Sequence, residues 1–202
     1  MYKYVLGLVL AGTVLLISCS DNGNGTGPDA TCTIYPMQVG NKWFYTLTQL
    51  SPSGEYQGEA KIVRKITGDT TIQNARWYRV VTEVNGTAVE EQFYKNSRDG
   101  CCQWDDTHSQ LVFKYPVTKN YSYSIGGMGE MTVLSLDTSI DVPCGRYSCC
   151  LYQFDYTYVD IRSRDFMTPN VGLVRSEHHI MQSGGHSYMD FYMDLDSMTV
   201  SR

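Results

Sequence analysis

The chain has 202 residues, a formal net charge of −5 and only 18% charged residues. It carries no basic patch, which argues against a nucleic-acid partner, because phosphate binding needs clustered Lys and Arg. Sixteen tyrosines, only six prolines and the lack of any convincing 3.6-residue apolar period point to a strand-rich domain with little helix.

Residues 1–18 have three parts. Lys3 supplies a positive start, an apolar run extends from Val5 to Ile17 broken only by Gly7, Gly12 and Thr13, and Leu16-Ile17-Ser18-Cys19 follows. The run is shorter than the roughly 20 apolar residues that span a bilayer and has the layout of a cleavable signal peptide. Its last four residues resemble the lipobox of bacterial lipoproteins, in which a small residue precedes an obligatory cysteine. The resemblance implies that Cys19 receives a diacylglycerol, that the chain is cut before it, and that this lipid anchors the protein on a membrane. A plain secreted protein or a short uncleaved anchor is the competing reading. Residues 20–30 are Ser, Asp, Asn, Gly, Thr, Pro and Ala, too polar to offset their ordering entropy by burial. Residues 19–31 are therefore expected to form the lipidated cysteine with a flexible tether, and 32–202 a single antiparallel β domain. The residue after the cysteine is Ser20 and not Asp. By the sorting rule of enteric bacteria this favours the outer over the inner membrane.

Within the domain, strand-like runs are expected at 42–50, 58–67, 76–84, 87–95, 101–104, 109–115, 119–125, 129–137, 146–159, 171–181 and 187–200. Turn signals separate them: Ser53-Gly54, Gly68-Asp69, Asn85-Gly86, Asp99-Gly100, Gly126-Gly127, Pro143 to Gly145, and Gly184-Gly185. Strands joined by tight turns make an antiparallel meander, and Asn85-Gly86 suits the two positive-φ positions of a type I′ hairpin. In residues 147–158 the even positions are Ser148, Cys150, Tyr152, Phe154, Tyr156 and Tyr158, while the odd ones include Gln153, Asp155 and Thr157. Period-two alternation turns the aromatic stripe inward. The last hairpin is predicted to turn on Gly184-Gly185, setting Ile180 opposite Met189, His178 opposite Phe191, His179 opposite Asp190 and Arg175 opposite Asp194. This register gathers apolar residues on one face and opposite charges on the other.

Seven cysteines are present. With Cys19 set aside, Cys32, Cys101, Cys102, Cys144, Cys149 and Cys150 remain, an even set that in an exported protein predicts up to three disulfides. Neighbouring cysteines on a strand point to opposite faces, so Cys101/Cys102 is expected to join Cys149/Cys150 once, with the others reaching Cys144 and Cys32. Zinc is the alternative, but neither Cys-Cys pair has knuckle spacing, and no metal or cofactor is expected. His178, His179 and His186, with Glu177 and Asp190, form the one cluster worth weighing as a zinc site, with His179 and Asp190 as a two-ligand start and His186 near the turn on the same face. A solvated His179–Asp190 pair and a hydrogen-bonded core His178 account for it without chemistry. Asp105-Asp106 reads as turn acid, and no nucleophile motif or phosphate loop occurs.

Three segments carry a family resemblance: Tyr35-Pro36-Met37-Gln38-Val39-Gly40-Asn41-Lys42-Trp43, Val142-Pro143-Cys144-Gly145-Arg146-Tyr147, and Pro169-Asn170-Val171-Gly172-Leu173-Val174. Together they resemble a loose group of uncharacterised secreted bacterial lipoproteins with Pro-x-x-Val-Gly-Asn-x-Trp and Gly-Val-Gly-Leu-Val type segments. Asn170 stands where that group usually has Gly, and Cys144 where it has a small residue. The resemblance implies an all-β, strongly curved antiparallel sheet, half-barrel or barrel-like, and carries over no catalytic residue. The expected function is a non-enzymatic, lipid-anchored binding module of the cell envelope, its concave face lined by Tyr152, Phe154, Tyr156 and Tyr158 and holding an apolar ligand or an envelope protein. A structural protein with a solid core is the alternative, and a metal-dependent hydrolase using His179 a remoter one.

Overall fold

The computed structural model describes residues 33–182 and 186–201. The leader, Cys19, the tether, Cys32 and the Gly184-Gly185 turn lie outside the described residues. Twelve strands follow one another: β1 (Lys42–Leu50), β2 (Tyr56–Ile72), β3 (Ala75–Val84), β4 (Thr87–Ser97), β5 (Gly100–Trp104), β6 (Ser109–Lys114), β7 (Ser122–Ile125), β8 (Gly129–Val142), β9 (Gly145–Tyr156), β10 (Ile161–Thr168), β11 (Gly172–Met181) and β12 (Ser187–Thr199). They form one antiparallel sheet ordered β6-β5-β4-β3-β2-β1-β12-β11-β10-β9-β8-β7. The sheet curls into a nearly closed barrel, with β6 and β7 facing each other at the seam. Tyrosine hydroxyls bridge that seam. The Tyr123 hydroxyl accepts from Lys114 N at 3.0 Å and donates to Val112 O at 3.1 Å, and the Tyr152 hydroxyl donates to Lys114 O at 2.9 Å.

Asn85 and Gly86 both have positive φ, 49° and 82°, as a type I′ turn requires. Two sequence expectations need correction. Gly68-Asp69 is no turn: β2 runs through it with a register shift between Ile66 and Gly68, and Gln73-Asn74 turns instead, at φ 48° and 60°. β10 is an additional strand, and β9 ends at Tyr156. The outer part of the last hairpin also differs. Arg175–Asp194 and His178–Phe191 pair as expected, but the register slips between His178 and His179, so His179 faces Met189 and Ile180 faces Tyr188. The Gln182 N–H donates to His186 O at 2.8 Å, leaving residues 183–185 between the closing pair.

One end of the barrel is sealed. Ile34 and Tyr35 are buried there, and Tyr35 packs edge-on to Trp43 (5.2 Å between ring centroids) and stacks on Tyr94 (5.9 Å). The Asn96 amide donates to Tyr35 O at 2.6 Å, and Asn41 Oδ1 accepts from Ser201 N at 2.7 Å. The Trp43 indole donates to Val171 O at 2.9 Å. Gly40 has φ 97°, and its N–H donates to Ile66 O at 2.9 Å, which closes the turn that launches β1. Val142, Cys144 and Val171 pack on the same core. The three segments that carry the family resemblance therefore meet in this closed end, where their work is structural.

The disulfide expectation fails among the described residues: Cys101, Cys102, Cys144, Cys149 and Cys150 are all free thiols. Neighbouring cysteines do point to different surroundings: Cys101 and Cys150 both lie in the barrel core without forming a bridge, whereas Cys149 sits in a separate cluster with Phe166 and Val174. Cys149 Sγ meets Thr168 Oγ1 at 3.2 Å, and Cys144 Sγ meets the Tyr147 hydroxyl at 3.4 Å. Burial pushes the Cys149 and Cys150 thiols up to about 11, a condition that suppresses thiolate chemistry.

Candidate functional site

The inner face changes character along the barrel axis. At the sealed end Trp43, Tyr45, Ile62 and Leu195 are buried and apolar. Toward the other end the inward positions Leu47, Ala60 and Val84 are only partly buried and pack against the edge of the same core. The predicted ligand-lining set divides across this boundary. Tyr152 is fully buried and packs edge-on to Phe113, and Phe154 is 7% exposed, so both belong to the packed core. Tyr156 stands at the transition, edge-on to Phe154 at 4.5 Å. Tyr158 lies beyond the end of β9, is 84% exposed and lines nothing, because the strand stops two residues short of it.

Between the two regions lies a set of inward polar side chains. Arg64, Thr82 and Glu90 are cross-strand partners on β2, β3 and β4. On the wall that faces them, Asp165 pairs with Ser176 and Ser163 with His178 across β10 and β11. Antiparallel pairing two residues apart keeps both pairs on one face. The same face carries Phe154, opposite Ser163, and Tyr152, opposite Asp165, which places it inside the barrel. Arg64, Asp165 and His178 are buried to 3%, 2% and 5% exposure. Water-free polar groups are costly unless paired, so their partners matter.

The Ser176 hydroxyl donates to Asp165 Oδ1 at 2.7 Å. Burial pushes the Asp165 carboxyl up to about 7, against the opposing pull of the Ser176 bond and the Arg64 charge. Burial likewise lifts Glu90 to about 7, again against Arg64. The guanidinium lies 5.8 Å from the centroid of the Tyr94 ring; burial opposes its charge, and Glu90, when ionised, favours it. Along β4 the Gln92 amide donates to Glu90 Oε1 at 2.8 Å, and the Tyr94 hydroxyl donates to Gln92 Oε1. Glu90 Oε2 is buried without a hydrogen-bond partner, as are both ring nitrogens of His178. The His178 ring stacks on Phe191 at 4.5 Å with 9° between planes, and its Nδ1 stands 3.6 Å from Asp190 Oδ2. Burial lowers its proton affinity, which keeps the ring neutral near pH 7.

The histidines therefore differ from the sequence expectation. His179 pairs with Glu177 at 3.4 Å, and it is His178 that approaches Asp190. Among the described residues no three His, Cys, Asp or Glu side chains form a metal-binding group. Asp105 is the turn acid expected, its carboxylate accepting from Thr107 N at 3.1 Å and His108 N at 2.8 Å. Arg64, Glu90 and Asp165 were absent from the sequence reading. The signal available was Asp165 on a run, Ile161 to Thr168, with the length but not the apolar alternation of a strand.

No family model and no curated protein matches the chain. Two solved structures share its fold. A predicted exported protein with a YmcC-like fold from Bacteroides fragilis aligns with a TM-score of 0.56 at 11% identity, over 83% of this chain and 99% of its own. A predicted lipoprotein from Parabacteroides distasonis aligns with a TM-score of 0.50 at 12% identity, over 85% of this chain and all of its own. At these identities the likeness is one of fold.

Proposed function

We propose that this protein is a lipid-anchored, non-enzymatic binding module of the cell envelope that takes a small amphipathic molecule into the open half of its barrel. The observation that carries this reading is the inward polar set, with Asp165 and His178 buried and Glu90 partly buried, on an inner face that also carries partly buried Leu47, Ala60 and Val84. A barrel built only for stability would fill those positions with apolar side chains, since buried charges are no better for stability than well-packed hydrophobes. Pockets that combine apolar walls with a few convergent polar groups are the usual form of a ligand site. The envelope location is supported by the lipobox-like Leu16 to Cys19 segment and by the descriptions of the two structural neighbours as an exported protein and a lipoprotein. Thirteen residues, 20–32, lie between Cys19 and Thr33, a span of at most about 50 Å.

The test is the fluorescence of N-phenyl-1-naphthylamine, a neutral dye that brightens in apolar surroundings. It is titrated with the full-length protein in phosphatidylcholine nanodiscs against empty nanodiscs. The wild type is expected to brighten the dye saturably, and Ala60→Trp, which fills the open half, to abolish the gain. No gain over empty nanodiscs, or an equal gain in Ala60→Trp, overturns the reading.

A further inference from the structure

The two ends of the barrel differ in surface charge. At the end opposite the seal, the loops joining β1 to β2, β5 to β6 and β9 to β10 expose Glu55, Asp105, Asp106 and Asp160. At the sealed end Lys42, Arg98 and Lys119 are exposed. None of these three has an ion-pair partner among the described residues, whereas Arg79, Arg162 and Arg175, farther along the strands, each stand beside a carboxylate. The exposed acids at the sealed end are already matched: Asp69 with Arg76 at 2.9 Å, Asp99 with Lys114 at 3.9 Å and Asp141 with Arg146 at 3.6 Å. That end therefore carries the surplus of positive charge. Apolar side chains stand among its cations. Val39, Tyr121, Met198 and Val200 are all exposed, and Lys42 pairs with Thr199, between Met198 and Val200. A run of contacts joins the patch together. Asn41 accepts from Ser201 N, Asn96 donates to Tyr35 O two residues before Arg98, Tyr115 N donates to Asp99 O at 2.9 Å, and the Lys114 ammonium lies 5.4 Å from the Tyr121 ring centroid.

We propose that the sealed end is a membrane-docking surface that rests on anionic phospholipid headgroups, with Lys42, Arg98 and Lys119 against the phosphates and Val39, Tyr121, Met198 and Val200 in the interfacial layer. This rests on the lipid-anchor part of the reading above. Residues 20–32 lead from Cys19 to Thr33, and the next residue, Ile34, is buried in the seal, so the tether joins the barrel on this face. A lipid anchor by itself sets a distance from the bilayer but no orientation. Exposed Lys and Arg are drawn to an anionic surface once they come within about a Debye length of it, and the tether holds them near enough. The same surface repels the acidic loops, which turns the opposite end of the barrel toward the solvent. Tyr121, with an apolar ring and a polar tip, suits the headgroup level.

Methionine oxidation reads the orientation, because Met198 at the sealed end and Met128 in the β7–β8 loop at the opposite end are similarly exposed, 37% and 42%. The full-length protein in nanodiscs of phosphatidylcholine and phosphatidylglycerol is isolated by size exclusion, treated with hydrogen peroxide and mapped by peptide mass spectrometry. Met198 is expected to oxidise at least about threefold more slowly than Met128, since oxidation follows exposure. In the variant Lys42→Gln/Arg98→Gln/Lys119→Gln, whose three changes are exposed and leave the packing alone, the two rates are expected to converge. They are expected to converge also in discs of phosphatidylcholine alone. Equal rates in the anionic discs, slower oxidation of Met128, or undiminished Met198 protection in the triple variant would overturn the docking surface while leaving the anchor standing. Protein that fails to elute with the discs would remove the anchor, and the docking surface with it.

Discussion

Replacing Asp165 by Asn isolates the electrostatic cost of the barrel interior. The carboxyl is 2% exposed, accepts a hydrogen bond from Ser176 at 2.7 Å, and is raised by burial from 3.8 to about 7. Below about pH 4 the folded and unfolded chains both hold the proton, and well above pH 7 both have released it. In between only the folded chain holds it, so the stability present at low pH is lost as pH rises. Each pH unit of that interval is worth about 1.4 kcal/mol. The interval therefore amounts to about 4 kcal/mol in all, of which about 2 kcal/mol falls between pH 5 and pH 7. Asn has no proton to release and still offers an oxygen to Ser176. Urea unfolding followed by tryptophan fluorescence at pH 5, 6 and 7 reads the difference directly. Asp165→Asn should gain about 2 kcal/mol on the wild type across that range. Glu90, raised in the same direction, adds to that slope, which Glu90→Gln should reduce, while His178, lowered by burial, works against it. An unchanged pH slope in Asp165→Asn, or a variant less stable than the wild type at pH 7, would show that the buried Asp165 proton does not set the slope.

Cys19→Ala should abolish incorporation of a labelled fatty acid and leave the protein uncut or off the membrane; retained label would remove the anchor assignment. Trp43→Ala removes a fully buried indole and orphans Val171 O, so it should cost about 3–5 kcal/mol in urea unfolding; a loss below about 1 kcal/mol would contradict the packing described. Thiol titration of denatured protein under non-reducing conditions should find Cys101, Cys102, Cys144, Cys149 and Cys150 all free. In the native protein half-buried Cys144 should react faster than Cys101 or Cys149, and peptides showing a bridge between the Cys101/Cys102 and Cys149/Cys150 strands would oppose the structure.

The sequence disclosed the parts of this fold that follow the pattern of an antiparallel sheet. β1 and the Asn85-Gly86 turn were legible because alternation and positive-φ preferences are local properties. The Arg175–Asp194 pair was legible because apolar and charged positions sort together in one register; the guanidinium does meet the carboxylate twice, at 2.5 Å and 2.7 Å. The slip at His178/His179 was not legible, since a bulge changes one pairing while sparing the pattern on either side. β10 escaped the pattern for a physical reason. Its inward residues Ser163 and Asp165 are polar, and its outward neighbours Arg162 and Arg164 are polar too, so no alternation remains to be seen. Sites break the rules that reveal folds. The aromatic stripe showed the converse, because Tyr152 and Phe154 obey the pattern and turn out to be core. The disulfide expectation came from an even cysteine count, which says nothing about whether two thiols meet across a barrel.

The ligand is proposed to lie inside the barrel, against its inner face. Photo-crosslinking of the full-length protein with a diazirine-bearing alkyl probe, followed by peptide mapping, tests that placement. Label is expected on inward positions of β4 around Glu90 and of β10 and β11 between Ser163 and His178, suppressed by excess N-phenyl-1-naphthylamine. Label confined to outward residues such as Tyr158, or insensitive to competition, would contradict the placement.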